Sequence, residues 1–291
     1  MEHHHDHSEE GNIKVAFFLN AGFTIIEIFG GIYTNSLAIM TDALHDFGDS
    51  LSIGLSWYLQ RLSYKSKDRQ FSYGYRRFSL LGAIINSIVL LVGSVLILTR
   101  AIPQLFAPEE SDAQGMLVLA IGGIIVNGLA VLRLKRGSSI NAKVVSLHLL
   151  EDVLGWVAVL IGSIIMMYTH APFIDPLLSI LISAYVLFNI YRNIKQSFKI
   201  ILQGTPEDVD LDHLSKRLEA VPEVSSVHDC HSWTMDGEYN VLSIHLVLNR
   251  NYTLSEQDIL KRRIRKLLKE ENVDHVTIEL DADEDCGIGE C

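Results

Sequence analysis

Cysteine is scarce in this chain. There are three, Cys230, Cys286 and Cys291, all in the polar C-terminal part, too few for a disulfide framework. They read as reduced thiols, and the Cys286-x-x-x-x-Cys291 tail is a weak soft-ligand candidate because its spacing is looser than Cys-x-x-Cys. A basic face is lacking too. The formal net charge is −11, with much of the acid in the first ten residues and the last hundred, which argues against a nucleic-acid partner. The N-terminus shows no basic segment followed by an apolar core and a cleavage site, so no secretory signal is expected. The His-Glu-x-x-His signature of zinc hydrolases is absent as well.

Apolar sequence is what the chain has in quantity: 48% of its 291 residues. Crossing a bilayer takes about 20 such residues, and six stretches qualify, near 13–33, 37–59, 78–101, 114–134, 144–169 and 173–194. The loops between them are unequal in charge. Arg61, Lys65, Lys67, Arg69, Arg76 and Arg77 separate spans two and three; Lys135, Arg136 and Lys143 separate spans four and five; Arg192, Lys195 and Lys199 follow span six. Loops 34–36, 102–113 and 170–172 contain no Lys or Arg. Positive charge stays inside, so both termini are expected in the cytoplasm. Short loops and the lack of an organelle signal suggest a bacterial or archaeal plasma (inner) membrane.

From Gly204 onward the pattern becomes that of a soluble domain. A polar helix is expected near 207–220, then strands at Val224–Met235 and Tyr239–Leu248 joined by Asp236-Gly237, a hairpin signal. A helix over about Ser255–Glu271, with Ser255 as its N-cap, precedes a last strand at His275–Leu280. The whole is an α-helical membrane protein: a His-rich disordered arm (1–12), a six-helix transmembrane domain (13–203) and an α+β open-faced sandwich (204–291).

Ionisable residues inside a bilayer are costly and mark function. Span two contains Asp42, His45, Asp46 and Asp49, and span five contains His148, Glu151 and Asp152. One pattern occurs twice, His45-x-x-x-Asp49 and His148-x-x-x-Asp152. Positions i and i+4 share a helix face, so two packed helices offer two imidazoles and two carboxylates, a set suited to tetrahedral Zn2+. Internal pairing within the bundle is the plainer reading of one such pair, and two copies at similar depth favour a metal site. Asp42 and Asp46 read as peripheral and Glu151 as facing a cavity or a neighbouring helix. Glu27, Asn20, Asn86 and Asn127 read as interhelical hydrogen-bonding groups.

These features resemble the cation diffusion facilitator family. The resemblance rests on Thr41-Asp42-Ala43-Leu44-His45-Asp46-Phe47-Gly48-Asp49, on His148-Leu149-Leu150-Glu151-Asp152, on Tyr73-Gly74-Tyr75-Arg76-Arg77, on Asp175-Pro176 and on Val227-His228-Asp229-Cys230-His231-Ser232-Trp233. It covers nearly the whole chain. It implies a homodimer with a metallochaperone-like cytoplasmic domain and proton-coupled export, with His45, Asp49, His148 and Asp152 as transport site. It also suggests His228, His245 and Asp281 as regulatory metal ligands, with Glu279 at a position that is His in some members and His231 as a further candidate. An odd spacing puts His228 and His231 on opposite faces of a regular strand, and a bulge is needed to unite them. Two departures stand out: Ser79 occupies a position that is Glu in many members, and the short basic loop after span four has no His. Zn2+ is thus expected as substrate and regulatory ligand, with Cd2+ or Co2+ as alternatives and no organic cofactor. The run His3-His4-His5-Asp6-His7 is metal-binding in composition, either native or a remnant of cloning. Rival readings are a metal-gated channel, an intramembrane metallohydrolase and a membrane-anchored metal sensor.

Overall fold

The computed structural model describes residues 3–63, 65–134 and 140–281, in backbone only at 3–17, 52, 53, 56, 57, 60, 61, 63, 133, 134, 140–145, 147 and 148. Six long helices come first: α1 (His3–Thr34), α2 (Leu37–Ser63), α3 (Phe78–Phe106), α4 (Ala113–Leu134), α5 (Ile140–Thr169) and α6 (Ile174–Ile201). A small domain follows: α7 (Leu211–Glu219), β1 (Val224–Thr234), β2 (Asn240–Leu248), α8 (Leu254–Glu270) and β3 (His275–Asp281). The chain divides into two compact units, Met1–Tyr58 with Gly82–Ile194, and Leu59–Leu81 with Lys195–Cys291.

Local chemistry sets the breaks between helices. Asn35, at φ 50°, takes the left-handed conformation that ends a helix, a role Asn accepts better than most residues. Ser36 then caps α2 through its hydroxyl, which accepts from the Ile39 amide at 3.2 Å. His170, also at φ 50°, closes α5 just ahead of Pro172. At the other end, α1 begins at His3, where a disordered arm is expected from composition. Nucleation is the costly step of helix formation, and the apolar segment behind the arm supplies the nucleus onto which it extends.

The helical unit buries polar side chains beside its apolar core and exposes large apolar ones. Glu27, Asp46, Asn127, Ser163, Ser179 and Ser183 are fully buried, while Ile25, Phe29, Leu96 and Phe188 are each more than half exposed. Water would reverse that distribution. Four helical segments, Phe78–Phe106, Ala113–Leu132, Leu149–Thr169 and Ile174–Ile201, are long and apolar enough to cross a membrane. The apolar part of α1, Phe18–Thr34, is shorter, and α2 carries Asp42, Asp46 and Asp49 in its first half. Trp156 of α5 is buried against Phe23 of α1, ring centroids 5.7 Å apart. It also covers Gly123 of α4, where any Cβ would come within 2.3 Å of the indole. Glycine there is a packing requirement.

In the second unit the sheet order is β1-β2-β3, with β1 and β2 antiparallel and β2 and β3 parallel. The hairpin turns at Gly237, φ 97°, and Asp236 Oδ1 accepts from the Glu238 and Tyr239 amides. Leu242, Ile244, Leu246 and Leu248 point one way and form a core with Leu214 and Leu218 of α7 and Leu260, Ile264 and Leu268 of α8. Period-two alternation leaves the opposite face of the sheet uncovered by these helices. The segment before α3 belongs to this unit: Arg76 pairs with Asp236 at 3.3 Å and lies 4.2 Å from the centre of the Tyr239 ring.

Helix α8 starts earlier than Ser255. Thr253 is its N-cap and forms a capping box with Glu256, so the box that begins two residues earlier outcompetes the serine. The backbone and side-chain donors of Thr253 hold the Glu256 carboxyl below its ordinary value. A carboxylate with a lowered folded-state pKa adds stability at pH values above its unfolded pKa, about 4.3. It loses that contribution as pH falls through the lower, folded value. Hydrogen exchange should therefore show protection of the first turn of α8 intact near neutrality and declining below about pH 4.3. In Thr253→Ala that decline should flatten.

Candidate metal centres

His45 and Asp49 lie one turn apart on α2. Their Nε2 and Oδ2 atoms are 3.4 Å apart, and each side chain is about one-fifth exposed, at 21% and 20%. The helix period therefore delivers imidazole and carboxylate to one point. Asp152 is buried on α5. Helical spacing puts position 148 on the same face of α5, though the side chain of His148 lies outside the described residues. Glu151 is exposed, one position round the helix from Asp152 and directed away from the interior.

The surroundings of this site are more acidic than a peripheral role for Asp42 and Asp46 implies. Both are buried, Asp46 completely. They lie on the α2 face that carries His45 and Asp49, because positions 42, 45, 46 and 49 follow the i, i+3, i+4, i+7 rule. Glu27 of α1, fully buried, lies beside Asp46 and the Trp156 indole and within electrostatic range of Asp42 and Asp152. Gly155 of α5 faces the Asp42 carboxylate, and a Cβ there would sit 3.5 Å from its Oδ1. Acids from α1, α2 and α5 thus share one interior. A single acid in a span carries no periodic signal, so sequence alone reads Glu27 as an interhelical hydrogen-bonding group and not as part of this interior.

The second cluster sits on the open face of the sheet. Register sets His228 of β1 opposite His245 of β2, and His245 opposite Glu279 of β3. Asp281 lies two residues beyond Glu279 on the same face. Asp281 Oδ2 is 3.3 Å from His228 Nε2 and 3.0 Å from His245 Nδ1. One ligand atom from each of His228, His245 and Asp281 falls within 4.8 Å of the others. Two imidazoles flanking a carboxylate suit Zn2+, and His228 Nε2 is buried without a hydrogen-bond partner among the described residues, as an atom aimed at an ion would be.

A bulge does interrupt β1 between His228 and His231, with Asp229 at φ 50°. It does not bring His231 into the cluster. His231 is two-thirds exposed, and its Nε2 is 2.8 Å from Asp229 Oδ1. Instead the bulge turns Asp229 inward, its other oxygen 3.4 Å from His245 Nε2. Glu279 approaches the same nitrogen at 3.5 Å but is 65% exposed. Asp229 is the residue that spacing could not assign, because its orientation depends on an irregularity in the strand. Cys286 and Cys291 lie outside the described residues, as do the side chains of His3, His4, His5 and His7.

Buried carboxylates and an imidazole within apolar helices, followed by a sheet with clustered metal-ligand side chains, define a membrane protein that handles metal cations. Residues 13–202 match the cation efflux transmembrane domain, and residues 206–283 match the cytoplasmic domain of cation efflux proteins. The chain is 32% identical over 286 residues to the cadmium, cobalt and zinc/H(+)-K(+) antiporter of Bacillus subtilis (strain 168), covering 96% of this chain and 92% of that one. It is 32% identical to the metal cation efflux system protein CzcD of Cupriavidus metallidurans, over 96% and 89% of the two chains. To the zinc transporter ZitB of Escherichia coli (strain K12) it is 31% identical, over 97% and 93%. The chain therefore belongs to the cation diffusion facilitator, or cation efflux, family, whose members are multi-pass membrane transporters and not enzymes.

Proposed function

We propose that this protein is a proton-coupled antiporter exporting Zn2+, with Cd2+ and Co2+ as further substrates, from the cytoplasm. His45, Asp49, His148 and Asp152 form the transport site. The observation that carries this reading is the His45–Asp49 pair at 3.4 Å on α2, with Asp152 buried on the neighbouring face of α5. The names of the relatives, which include cadmium, cobalt, zinc and H+, agree with it. Residues 13–203 are the transmembrane domain and 204–291 the cytoplasmic one, with both termini on the cytoplasmic side of the plasma membrane. The protein works as a homodimer.

Metal binding needs neutral imidazole and ionised carboxylate, so protons and metal compete for the same atoms. A site open to a more acidic exterior takes protons and releases metal; open to the cytoplasm, it does the reverse. The energetics favour more than one proton. Moving a dication outward against 100 mV costs roughly 4.6 kcal/mol. One proton entering down the same potential and one pH unit returns roughly 3.7 kcal/mol, which is insufficient, whereas two return roughly 7.4. His228, His245 and Asp281, supported by Asp229 and Glu279, hold a regulatory Zn2+ that favours the transporting state of the dimer.

The test is zinc flux in proteoliposomes under an imposed pH gradient. Flux should follow the size and direction of the gradient. Flux indifferent to the gradient would move the channel reading ahead.

A further inference from the structure

Asp175, at the start of α6, is almost fully buried. Its carboxylate does not face the acidic interior around His45. It faces the N-terminus of α2. Oδ1 accepts from the Ser36 hydroxyl at 2.6 Å and from the Ala38 amide at 3.1 Å, and Oδ2 accepts from the Leu37 amide at 2.8 Å. The first four amides of a helix have no partner within it. In α2, Ser36 satisfies two of them, Ile39 through its hydroxyl and Met40 through its carbonyl. The other two, Leu37 and Ala38, depend on Asp175, and a carboxylate at a helix N-terminus is also favoured by the helix dipole. One turn further in, the Ser179 hydroxyl meets Thr41 at 2.7 Å, and Thr41 donates to the Leu37 carbonyl. Helices α6 and α2 are thus joined at their N-terminal ends by side chains 137 to 139 residues apart in sequence.

We propose that Asp175 is a positioning residue for transport: by capping α2 from α6 it fixes the helix that carries His45 and Asp49. This rests on the transport-site reading given above. Both oxygens of Asp175 are engaged by donors at the start of α2, which assigns the carboxylate to the cap. The geometry makes α2 sensitive to its cap. His45 lies seven residues beyond Ala38, roughly 10 Å along the axis. A tilt of about 6° at the cap moves the imidazole by about 1 Å over that length, and a misplacement of about 1 Å at a reacting group is enough for large losses of rate.

The experiment compares Asp175→Ala and Asp175→Asn with Asp49→Ala in proteoliposomes, reading zinc flux against external pH and zinc bound per chain. Asp175→Ala should lose about 10–100-fold in flux, the range for groups that orient metal ligands. Its residual flux should keep the wild-type pH midpoint, and its zinc content per chain should be unchanged at saturation. Asp175→Asn keeps one acceptor oxygen and should fall between the two. If the alanine variant cannot be recovered folded, the asparagine variant carries the test alone with the same readouts. Wild-type flux in both variants, a displaced pH midpoint or one fewer zinc per chain would overturn the proposal. Wild-type flux in Asp49→Ala would instead overturn the transport-site reading, so the two failures are distinguishable.

Discussion

Alanine at Asp49 should reduce zinc flux by about 100-fold or more, the upper end of what is lost when only the groups around a metal ligand are altered. Asp49 sits one turn from His45, its carboxylate 3.4 Å from the imidazole, so its removal takes away one of the four proposed donors and one negative charge together. In a low-dielectric interior that charge is what offsets the desolvation of a dication. Asp49→Asn should be nearly as inactive, because a neutral amide oxygen keeps the shape and loses the charge. Asp152→Ala should match it, since Asp152 is the buried carboxylate of the partner helix. Glu151→Gln is the internal control. Its side chain is exposed, and flux should stay within about twofold of wild type, as for surface substitutions away from special features.

The second large effect concerns the sheet. Zinc at about 100 times its Kd should stabilise the full-length protein by about 2.7 kcal/mol through the proposed regulatory site, and His245→Ala should abolish that increment. His245 is the hub: Asp281, Asp229 and Glu279 reach it at 3.0, 3.4 and 3.5 Å, and the His228 ring centroid is 5.3 Å away. Thermal unfolding with and without zinc measures the effect, and an Asp49→Ala background separates it from metal at the membrane site. His231→Ala should retain most of the increment, because His231 is exposed and, among the described residues, pairs with Asp229. Equal loss in both histidine variants would contradict the observed geometry.

What the sequence revealed and what it concealed divide along physical lines. Six helices, the hairpin and the His45–Asp49 pair were legible because each depends on local periodicity or a local turn residue. The ligand set on the sheet came from the family resemblance, and the register that sets His228 opposite His245 and His245 opposite Glu279 shows how the strands unite it. Features set by irregular or distant geometry were not legible. Asp229 faces His245 only because its backbone sits at φ 50° in a bulge, and the same bulge turns His231 outward. Glu27 joins the acids of α2 from a different helix, and Arg76 reaches Asp236 across 160 residues of sequence. Thr253 outcompetes Ser255 because its box with Glu256 is reciprocal, a preference that either residue alone does not announce.

Zinc flux in proteoliposomes with the pH gradient imposed first in one direction and then in the other tests the central claim most directly. An antiporter predicts zinc moving opposite to the proton gradient in both cases, reversing when the gradient is reversed and collapsing with it when a protonophore is added. Zinc flux of the same rate and direction under both gradients, set by the zinc concentration difference alone, would contradict proton coupling.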